Sequence, residues 1–401
     1  MNAVTWIRKP LSEVADLCLG KMLDQNKNRG EPFPYLANVN VRWGAFELND
    51  LRVMRFEPKE KDRYGLKFGD IVMCEGGEPG RCAIWKDQIP GMMIQKAIHR
   101  IRPKEHLDYR FFFYRLLHLG HTKAFDQYFT GATIKHLPGE KLAKVEIEFP
   151  PLAIQQRIAG ILSAYDELIE NSQRRIKILE AMARGLYREW FVHFRFPGHE
   201  NHPLVASTLG EIPRGWEVRL VKDVAAVTYG FPFQSKKFNT NQVGLPVIRI
   251  RDILDASTTT FTDEVAAAKY HIKNGDILVG MDGDFHMCIW SSGHALQNQR
   301  VAKFESNSAI GNHHLFLALE LPIQTWNKSI VGTTVAHLGD MHIKAIQIIW
   351  PTEKILDKAS RILEPMAEQI ITLKRQIQNL RRTRDLLLPR LLSGQIDIGE
   401  I

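Results

Sequence analysis

Side chains that could hydrogen-bond to nucleobases lie beside predicted turns at several points of the chain. Base edges suit Arg or Lys at guanine, Asn or Gln at adenine, and a carboxylate at cytosine. In the second half of the 401-residue chain, such side chains follow the Gly230-Phe231-Pro232 turn and the next predicted turns. The candidates there are Gln234, Ser235, Lys236, Lys237, Arg249, Arg251, Asp252, Asp282, Asp284, Asn298, Gln299 and Arg300.

The first half carries a similar set at analogous positions. Its members are Asn28, Arg29, Asn38, Asn40, Arg42, Glu75, Arg81, Gln95 and Lys96. By sequence, Gln95 and Lys96 match Gln299 and Arg300. These residue types serve contacts to bases and to phosphates alike, so the pattern leaves both roles open. The formal charge of +8, from 53 Lys plus Arg against 45 Asp plus Glu, is a mild excess that suits a polyanionic partner.

The sequence lacks the motifs of three DNA-processing chemistries. A methyltransferase would need a glycine-rich cofactor turn and an Asn/Asp-Pro-Pro-aromatic segment, whereas Pro150-Pro151 follows Phe149 and indicates a helix start. A nuclease could use Asp50 with Glu57-Pro58-Lys59, but Pro58 would interrupt the strand that carries the carboxylates, which favours a surface turn. No Walker-type glycine loop is present. We therefore predict a non-catalytic chain that holds no cofactor of its own.

Histidines and cysteines do not show the spacing of a metal site. The cysteines are scattered and form no CxxC pair, and the paired histidines lie outside any Cys/His framework. We predict reduced thiols, some of them buried, and histidines that are exposed or hydrogen-bonded. The residues concerned are Cys18, Cys74, Cys82 and Cys288, and the pairs His118 and His121, His199 and His202, and His313 and His314.

The chain contains two diverged copies of one unit. GATIKHL at 131–137 recurs as GTTVAHL at 332–338, and Phe149-Pro150 recurs as Trp350-Pro351, both displaced by 201 residues. YGLKFGDIVM at 64–73 recurs 206 residues later as YHIKNGDILV, and the region of Trp6 recurs at Trp216, 210 residues later. A nearly constant displacement across separate matches indicates an internal repeat. The Gly-Asp-Ile segments inside the second match predict a tight hairpin in each copy.

Each copy ends in a long amphipathic helix. Apolar residues at three- and four-residue steps follow Pro151, and the same stripe recurs 201 residues later. The two stripes are predicted to bury each other in an antiparallel coiled coil, although Pro365 predicts a kink or a split in the second helix. The stripes are Ile154, Ile158, Ile161, Tyr165, Ile169, Ile176, Leu179, Leu186 and Trp190, and then Ile355, Ala359, Ile362, Met366, Ile370, Ile377, Leu380, Leu387 and Leu391.

These features predict an α+β chain with an internal pseudo-two-fold repeat. Two mixed α/β globular domains, at 1–149 and 196–350, are joined by helical spacers at 150–195 and 351–401. Hydrophobic residues make up 44% and charged residues 24% of the chain, which is the balance of a soluble globular protein. The sequence shows neither a signal-peptide core nor an apolar run of about 18 residues, so we predict a cytoplasmic protein without membrane contact.

The chain resembles the specificity subunits of type I restriction-modification systems along almost its whole length. PPLAIQQRIAGILSAYDELIEN and GLYREWFVHFRFPG resemble the central conserved region of that family, and LLPRLLSGQIDI resembles its distal conserved region. LGEIPRGWEVRLVKDVA, YGFPFQSKKFN, GLPVIRIRDI and NQRVAKF resemble parts of a target-recognition domain. The first copy departs more, with PYLANVNV where the second has PVIRIRDI.

The resemblance implies a division of labour. Each recognition domain would read one half of a split double-stranded DNA target, and the helices would set the gap and dock two methyltransferase subunits. Motor-nuclease subunits would join the full complex, and S-adenosylmethionine would serve the methyltransferase partners. Two alternatives remain open at this point: the recognition half of a fused single-chain restriction enzyme, and a coiled-coil adaptor that does not read DNA.

Overall fold

A computed structural model of the chain describes residues 5–24, 27–307, 311–329, 336–396 and 398. It divides into two compact units, the first formed by Met1–Glu167 with Leu380–Ile401 and the second by Leu168–Asn379. Residues 332–335 of the second GTTVAHL segment lie outside the described residues.

The first repeat is built from eleven short strands and four short helices within the described residues, and is followed by a long helix. The strands are β1 Ile7–Pro10, β2 Ala15–Leu19, β3 Glu31–Leu36, β4 Val41–Arg42, β5 Ala45–Phe46, β6 Arg52–Phe56, β7 Ile71–Cys74, β8 Cys82–Ile84, β9 Met93–Ile94, β10 Ile98–Pro103 and β11 Glu146–Phe149. The helices are α1 Leu11–Val14, α2 Pro58–Tyr64, α3 Tyr109–His121, α4 Gly139–Leu142 and the long α5 Leu152–Tyr187.

A four-stranded sheet of order β2-β10-β7-β8 is central to the first repeat, beside a three-stranded sheet of order β6-β3-β9. All four residues of β7 are buried because both of its faces are covered. Helix α3 packs its Phe111 and Phe112 into the main core. Asp108 caps its N-terminus, because the Asp108 carboxylate accepts hydrogen bonds from the Arg110 and Phe111 amides at 3.0 Å. This cap satisfies donors that the first helical turn leaves free.

The second repeat follows the same plan. Its strands are β12 Leu204–Ser207, β13 Gly210–Pro213, β14 Glu217–Leu220, β15 Ala225–Tyr229, β16 Leu245–Ile248, β17 Phe261–Thr262, β18 His271–Ile272, β19 Ile277–Gly280, β20 Met287–Ile289, β21 Ala295–Gln297, β22 Val301–Ser306 and β23 Gln347–Trp350. Its helices are α6 Val221–Val224, α7 Asn312–Ser329, α8 Asp340–Ala345 and the long α9 Glu353–Leu392.

Sheet order confirms the internal repeat. The second repeat contains a four-stranded sheet of order β15-β22-β19-β20, which is the counterpart of β2-β10-β7-β8. Strand β14 pairs with β23 as β1 pairs with β11, in each case antiparallel over four residue pairs. A mixed α+β fold with two copies of one domain is therefore confirmed.

One predicted alignment between the repeats is wrong by one residue. The parallel bridge between Lys21 and Gln95 has its counterpart between Phe231 and Asn298. Gln95 thus corresponds to Asn298, Lys96 to Gln299, and Ala97 to Arg300. The hairpins that precede β10 and β22 differ in length, so a sequence match of Gln-Lys to Gln-Arg misses the backbone register.

Helices α5 and α9 run antiparallel in the first unit. Ile158 and Leu162 of α5 share a core cluster with Leu388 and Leu391 of α9. One helical turn after Leu162, Asp166 pairs with Arg384, one turn before Leu388. Later α5 residues therefore meet earlier α9 residues, as in an antiparallel pair.

The second unit shows the same order. Ala183 of α5 clusters with Ile355 and Ala359 near the start of α9. Earlier in α5, a Glu180 carboxylate oxygen lies 3.8 Å from the Nζ atom of Lys374, later in α9. Antiparallel pairing is confirmed in each unit, and supercoiling of the pair stays a prediction.

Two details of the predicted helices are wrong. Ile161 and Ile362, which the apolar stripes include, are partly exposed, whereas their neighbours Leu162 and Leu363 are fully buried. Ile161 and Leu162 lie three and four residues after the buried Ile158, so the helical spacing admits either one and packing selects the leucine. Helix α9 is continuous through Pro365, so the predicted split is wrong, and the predicted kink stays a prediction. We attribute its continuity to burial of its apolar face, which compensates for the lost amide donor.

The Gly-Asp-Ile segments form turns of a different kind from the predicted hairpin loop. Gly69 and Gly275 have φ values of +87° and +93°, which glycine adopts readily, and each turn leads into a strand, β7 or β19. The following carboxylates, Asp70 and Asp276, are buried. Among the described residues, no helix is long and apolar enough to cross a membrane.

Candidate nucleic-acid interface

Most candidate residues of the second unit lie on its surface. The four residues of the segment 234–237 are exposed, and Ser235–Lys237 forms a short 3₁₀ turn. The Nζ atom of Lys237 lies 3.2 Å from a Glu264 carboxylate oxygen, an ion pair that holds this lysine near the surface. The exposed candidates are Gln234, Ser235, Lys236, Lys237, Arg251, Asp284, Gln299 and Arg300, and those of intermediate exposure are Arg249, Asp282 and Asn298.

A polar groove of about 610 Å³ lies beside the end of β16. Arg249 and Arg251 line it together with Phe238 and Thr260. The Arg249 guanidinium hydrogen-bonds to the Thr260 hydroxyl and lies 5.9 Å from the centre of the Phe238 ring. Arg249 is thus held in place, whereas Arg251 is exposed. Cations beside a polar groove are suited to phosphate or base contact.

Asp252 is used inside the fold. Its carboxylate accepts a hydrogen bond from the Arg249 amide at 2.9 Å, and its counterpart Asn40 accepts one from the Ala37 amide at 2.9 Å. Both side chains are buried. These contacts shape equivalent turns after β16 and β3. Neither side chain is therefore accessible to DNA at the surface.

The first-unit candidates are more often tied to the backbone. Asn28 accepts a hydrogen bond from the Arg55 amide at 2.8 Å, and Arg42 donates from Nη1 to the Val39 carbonyl at 2.7 Å. Arg81 pairs with Glu78 at 2.8 Å and donates to the Asn38 carbonyl at 2.9 Å. Exposed candidates are Arg29, Arg42 and Lys96, and those of intermediate exposure are Asn28, Asn38, Glu75, Arg81 and Gln95.

Sequence reasoning missed His337, which joins two of the candidates. Its Nδ1 atom lies 2.6 Å from an Asp282 carboxylate oxygen, and Nε of Arg300 lies 3.6 Å from the other oxygen. The first unit has His136 at the matching position, bridged to Gly76 as His337 is bridged to Asp282. The signal was available, because both histidines occupy the same place in the repeated GATIKHL and GTTVAHL motif.

The chemistry considered for other residues has a structural explanation. Glu57 is the residue before α2, which begins at Pro58, so the predicted surface turn is a helix start. All four cysteines are free, and burial raises the pKa of Cys288 to about 12, which leaves an unreactive thiol at neutral pH. Among the described residues, no group of three or more His, Cys, Asp or Glu side chains is arranged to hold a metal ion.

The prediction for His313 and His314 is wrong, because both imidazoles are buried and none of their ring nitrogens has a hydrogen-bond partner within the described part of the chain. Burial lowers the pKa of His313 to about 4 and that of His314 to about 3. The His314 ring packs edge-on against Phe191, with ring centres 4.6 Å apart. Both histidines serve as core side chains of the second unit.

Comparison with known proteins gives one consistent family. The model of the family described as "Type I restriction modification DNA specificity domain" matches residues 3–181 and 213–382. The chain is 28% identical over 354 residues to the type I restriction enzyme MjaIX specificity subunit of Methanocaldococcus jannaschii, which covers 83% of this chain and 79% of that relative. It is 34% identical over 178 residues to the EcoBI specificity subunit of Escherichia coli, over 43% of this chain and 38% of that relative.

A further relative and a solved structure extend the match along the chain. The HindI specificity subunit of Haemophilus influenzae is 23% identical over 404 residues, covering 82% of this chain and 87% of that relative. The solved S subunit of a type I restriction-modification system from M. genitalium superposes with a TM-score of 0.64 at 16% identity, covering 98% and 97% of the two chains. At that identity the match shows a shared fold.

Proposed function

Because the chain belongs to the family of type I restriction-modification DNA specificity domains, we propose that it is the sequence-reading subunit of a type I restriction-modification enzyme. Residues 1–149 and 196–350 are the proposed recognition domains, and each reads one half of a split double-stranded DNA target. Residues 150–195 and 351–401 are the proposed spacers that set the gap between the half-sites. The observation that carries this proposal is the duplicated fold with exposed polar side chains on equivalent loops.

The exposed loops contain the residue types that DNA recognition needs. In equivalent hairpins, Lys96 of the first repeat and Gln299 of the second are both exposed. Arg251 lies exposed at a groove beside β16. Cations would bind phosphates, and amide or guanidinium groups would bind base edges. Two copies of such a surface on one chain favour a target with two separate halves.

Methylation and cleavage are proposed to belong to partner subunits. Two methyltransferase subunits would bind S-adenosylmethionine and modify the target, and motor-nuclease subunits would complete the restricting complex. The chain would contribute recognition without catalysis. Its proposed location is the cytoplasm, where it would meet cellular and incoming DNA.

Part of α5 is suited to docking a methyltransferase subunit. Within the second unit, Leu168, Ile178 and Met182 of α5 are each at least half exposed. Ile178 and Met182 lie four residues apart and therefore on one face of the helix, and Leu168 lies about three turns earlier. Full burial of an apolar side chain of this size contributes about 1.5 to 3 kcal/mol, so a partner that covers these half-exposed side chains gains about half of that at each.

We expect the double substitution Ile178→Glu with Met182→Glu to weaken co-purification of the methyltransferase subunit more than about 10-fold, because both charges would enter an apolar contact. The fold itself should persist, since both positions face solvent. Leu321→Glu is the matched control, since Leu321 is an exposed residue of α7 in the same unit. Equal loss of partner with the control, or full retention with the double variant, would contradict this docking face.

The experiment that tests the proposed function is a binding selection from a randomised DNA pool. The chain is purified with its methyltransferase partner, bound to the pool, and the retained DNA is sequenced. We expect one enriched sequence with two specified blocks and an unspecified gap of fixed length. A complex that retains DNA without sequence preference would support the coiled-coil adaptor and overturn the proposal. The other alternative, a recognition half of a fused restriction enzyme, predicts that the chain reads DNA without a separate methyltransferase subunit.

A further inference from the structure

Three polar side chains at the surface of the second recognition domain each contact the other two. The Nδ1 atom of His337 lies 2.6 Å from Oδ1 of Asp282, Nε of Arg300 lies 3.6 Å from Oδ2 of Asp282, and Nη1 of Arg300 lies 3.5 Å from Nε2 of His337. The side chains of His337 and Arg300 are 42% and 53% exposed, so the cluster remains open to a ligand. We call these residues the Asp282 cluster.

The cluster fixes the direction of its hydrogen bonds. An ionised carboxylate can only accept a hydrogen bond, so Nδ1 of His337 carries a proton and donates the hydrogen bond to Asp282. In the neutral ring, Nε2 then presents its lone pair toward the Arg300 guanidinium. Arg300 is therefore oriented from two sides, by an ion pair to the carboxylate at 3.6 Å and by a long contact to an imidazole nitrogen at 3.5 Å. A long side chain that is held in this way loses less conformational entropy when it binds a ligand.

The backbone under Arg300 is a feature of both repeats. Arg300 has a φ of +69°, and its counterpart Ala97 has a φ of +92°. The Arg300 carbonyl accepts from the Met281 amide at 2.9 Å, as the Ala97 carbonyl accepts from the Glu75 amide at 2.8 Å. Residues with a β-carbon rarely adopt this conformation, and it is often found at functional sites. The same backbone conformation thus has Arg in one repeat and Ala in the other.

The charge of Asp282 affects differently the two groups of DNA that Arg300 could bind, a phosphate and a base edge. The Asp282 carboxylate beside the guanidinium offsets its positive charge and would repel an approaching phosphate. A guanine edge is uncharged and presents two acceptors, O6 and N7, that match the fork of an arginine. The cluster therefore favours a base over the backbone.

We propose that Arg300 reads a guanine in the half-site of the second recognition domain, with Asp282 and His337 as its positioning residues. This inference rests on the proposed function. The hairpin that ends at Arg300 is then a specificity-determining position, because the two repeats keep its backbone and change its side chain. His136 of the first repeat faces Gly76, which has no carboxylate, and Ala97 has no donor, so the first repeat lacks this guanine contact.

The test measures binding of the complex to its selected DNA and to a panel with each base pair changed in turn. For the unaltered chain, replacement of one particular G·C pair should weaken binding about 10- to 100-fold. Arg300→Ala should lose a similar factor on the selected DNA and should no longer distinguish that G·C pair from the others. Lys222→Ala, which removes a charge from an exposed lysine on α6, is the matched control and should keep the full panel pattern.

The positioning role has its own signature. His337→Ala should lose part of the discrimination at the same base pair and none elsewhere. His337→Asn should restore that discrimination, because an asparagine amide can take the place of the Nδ1 donor. The double variant Arg300→Ala with His337→Ala should be no worse than Arg300→Ala alone, since the two residues act through one contact.

The outcomes distinguish failure of this inference from failure of the proposed function on which it rests. If Arg300→Ala weakens binding to every DNA of the panel equally, Arg300 holds a phosphate and the inference is overturned while the proposed function stands. If Arg300→Ala changes nothing, the inference is likewise overturned. If the unaltered complex binds the whole panel equally, the proposed function fails and the inference fails with it.

Discussion

Replacing Asp70 with asparagine is expected to lower the free energy of unfolding by about 2 to 4 kcal/mol, whereas the same change at Asp276 is expected to cost less than about 1 kcal/mol. The two carboxylates occupy the same turn in the two repeats, so each variant is the matched control of the other. Urea-induced unfolding at pH 7 measures both.

The difference arises from their partners. Both oxygens of Asp70 accept from the Arg102 guanidinium, from Nε and Nη2 at 2.7 Å each, and an asparagine would turn its amide protons toward that cation. This pairing raises the pKa of Arg102. Breaking a buried ion pair of this kind leaves an uncompensated charge, although Arg102 is 27% exposed and water reduces that cost.

Asp276 has weaker support. Burial raises the pKa of its carboxyl, and the Nζ atom of Lys303 lies 3.9 Å away while it donates to the His271 carbonyl at 3.0 Å. An asparagine can still accept from the Lys273 amide, which lies 2.9 Å from Oδ2. The backbone of the two turns is held alike, because the Trp85 and Trp290 amides donate to the Asp70 and Asp276 carbonyls, so the side-chain partners account for the expected difference. Equal losses for the two variants would contradict this account of the turns.

Acidification from pH 7 to pH 5 is expected to lower the stability of the second unit by about 4 kcal/mol, roughly 2 kcal/mol for each of two buried histidines. In the unfolded chain these imidazoles take up protons near pH 6.5. In the folded unit, burial lowers the pKa of His313 to about 4 and that of His314 to about 3, with smaller contributions from Arg184 and Lys374 at His313 and from His313 at His314. The unfolded state therefore binds more protons than the folded state between pH 6.5 and pH 4, and the free energy of unfolding decreases as the pH is lowered through that window.

The carboxyl of Glu364 opposes the effect of the two histidines. Its Oε1 atom accepts from the His313 amide at 3.0 Å, and burial raises the pKa of this carboxyl above its ordinary value. The folded unit therefore takes up this proton at a higher pH than the unfolded chain does, which offsets part of the loss from the histidines on acidification.

The variant His314→Phe should remove about half of the pH dependence, because a phenyl ring fits among Tyr187, Phe191 and Trp350 and carries no proton. Unfolding curves at pH 7 and pH 5 give the comparison. Ile348→Val is the control: this core change contains no titratable group and should lower stability equally at both pH values. A His314→Phe protein with the full pH dependence would exclude His314 as its source.

The repeat, the long helices and the α+β class could be predicted from sequence because they rest on local periodicity and on matches between the two halves. The exact buried face of the helices could not, since Ile161 and Leu162 are equally apolar and only packing selects Leu162. The hairpin register also escaped prediction. Hydrogen bonds from the residues that directly follow β7 and β19, rather than residue identity, align Ala97 with Arg300.

Candidate recognition residues were harder to assign for a physical reason. Polar side chains beside turns either contact solvent or stabilise the turn, and sequence does not distinguish the two uses. Asn40 and Asp252 illustrate the second use, since each accepts from a backbone amide three residues earlier. That three-residue spacing, present in both repeats, is a short-range pattern that would have indicated a turn. The burial of His313 and His314 depends on contacts between distant segments and has no such signal.

The central claim is that each repeat reads its own half of a split target, and the DNA selection tests it most directly when two variants are compared with the unaltered complex. One variant carries Gln95→Ala, which removes a candidate amide from the first repeat, and the other carries Gln299→Ala with Arg300→Ala in the second. The account predicts that each variant relaxes the sequence preference in a different block and keeps the other block and the gap unchanged. Loss of preference in the same block for both variants, or a single contiguous enriched sequence for the unaltered complex, would contradict it.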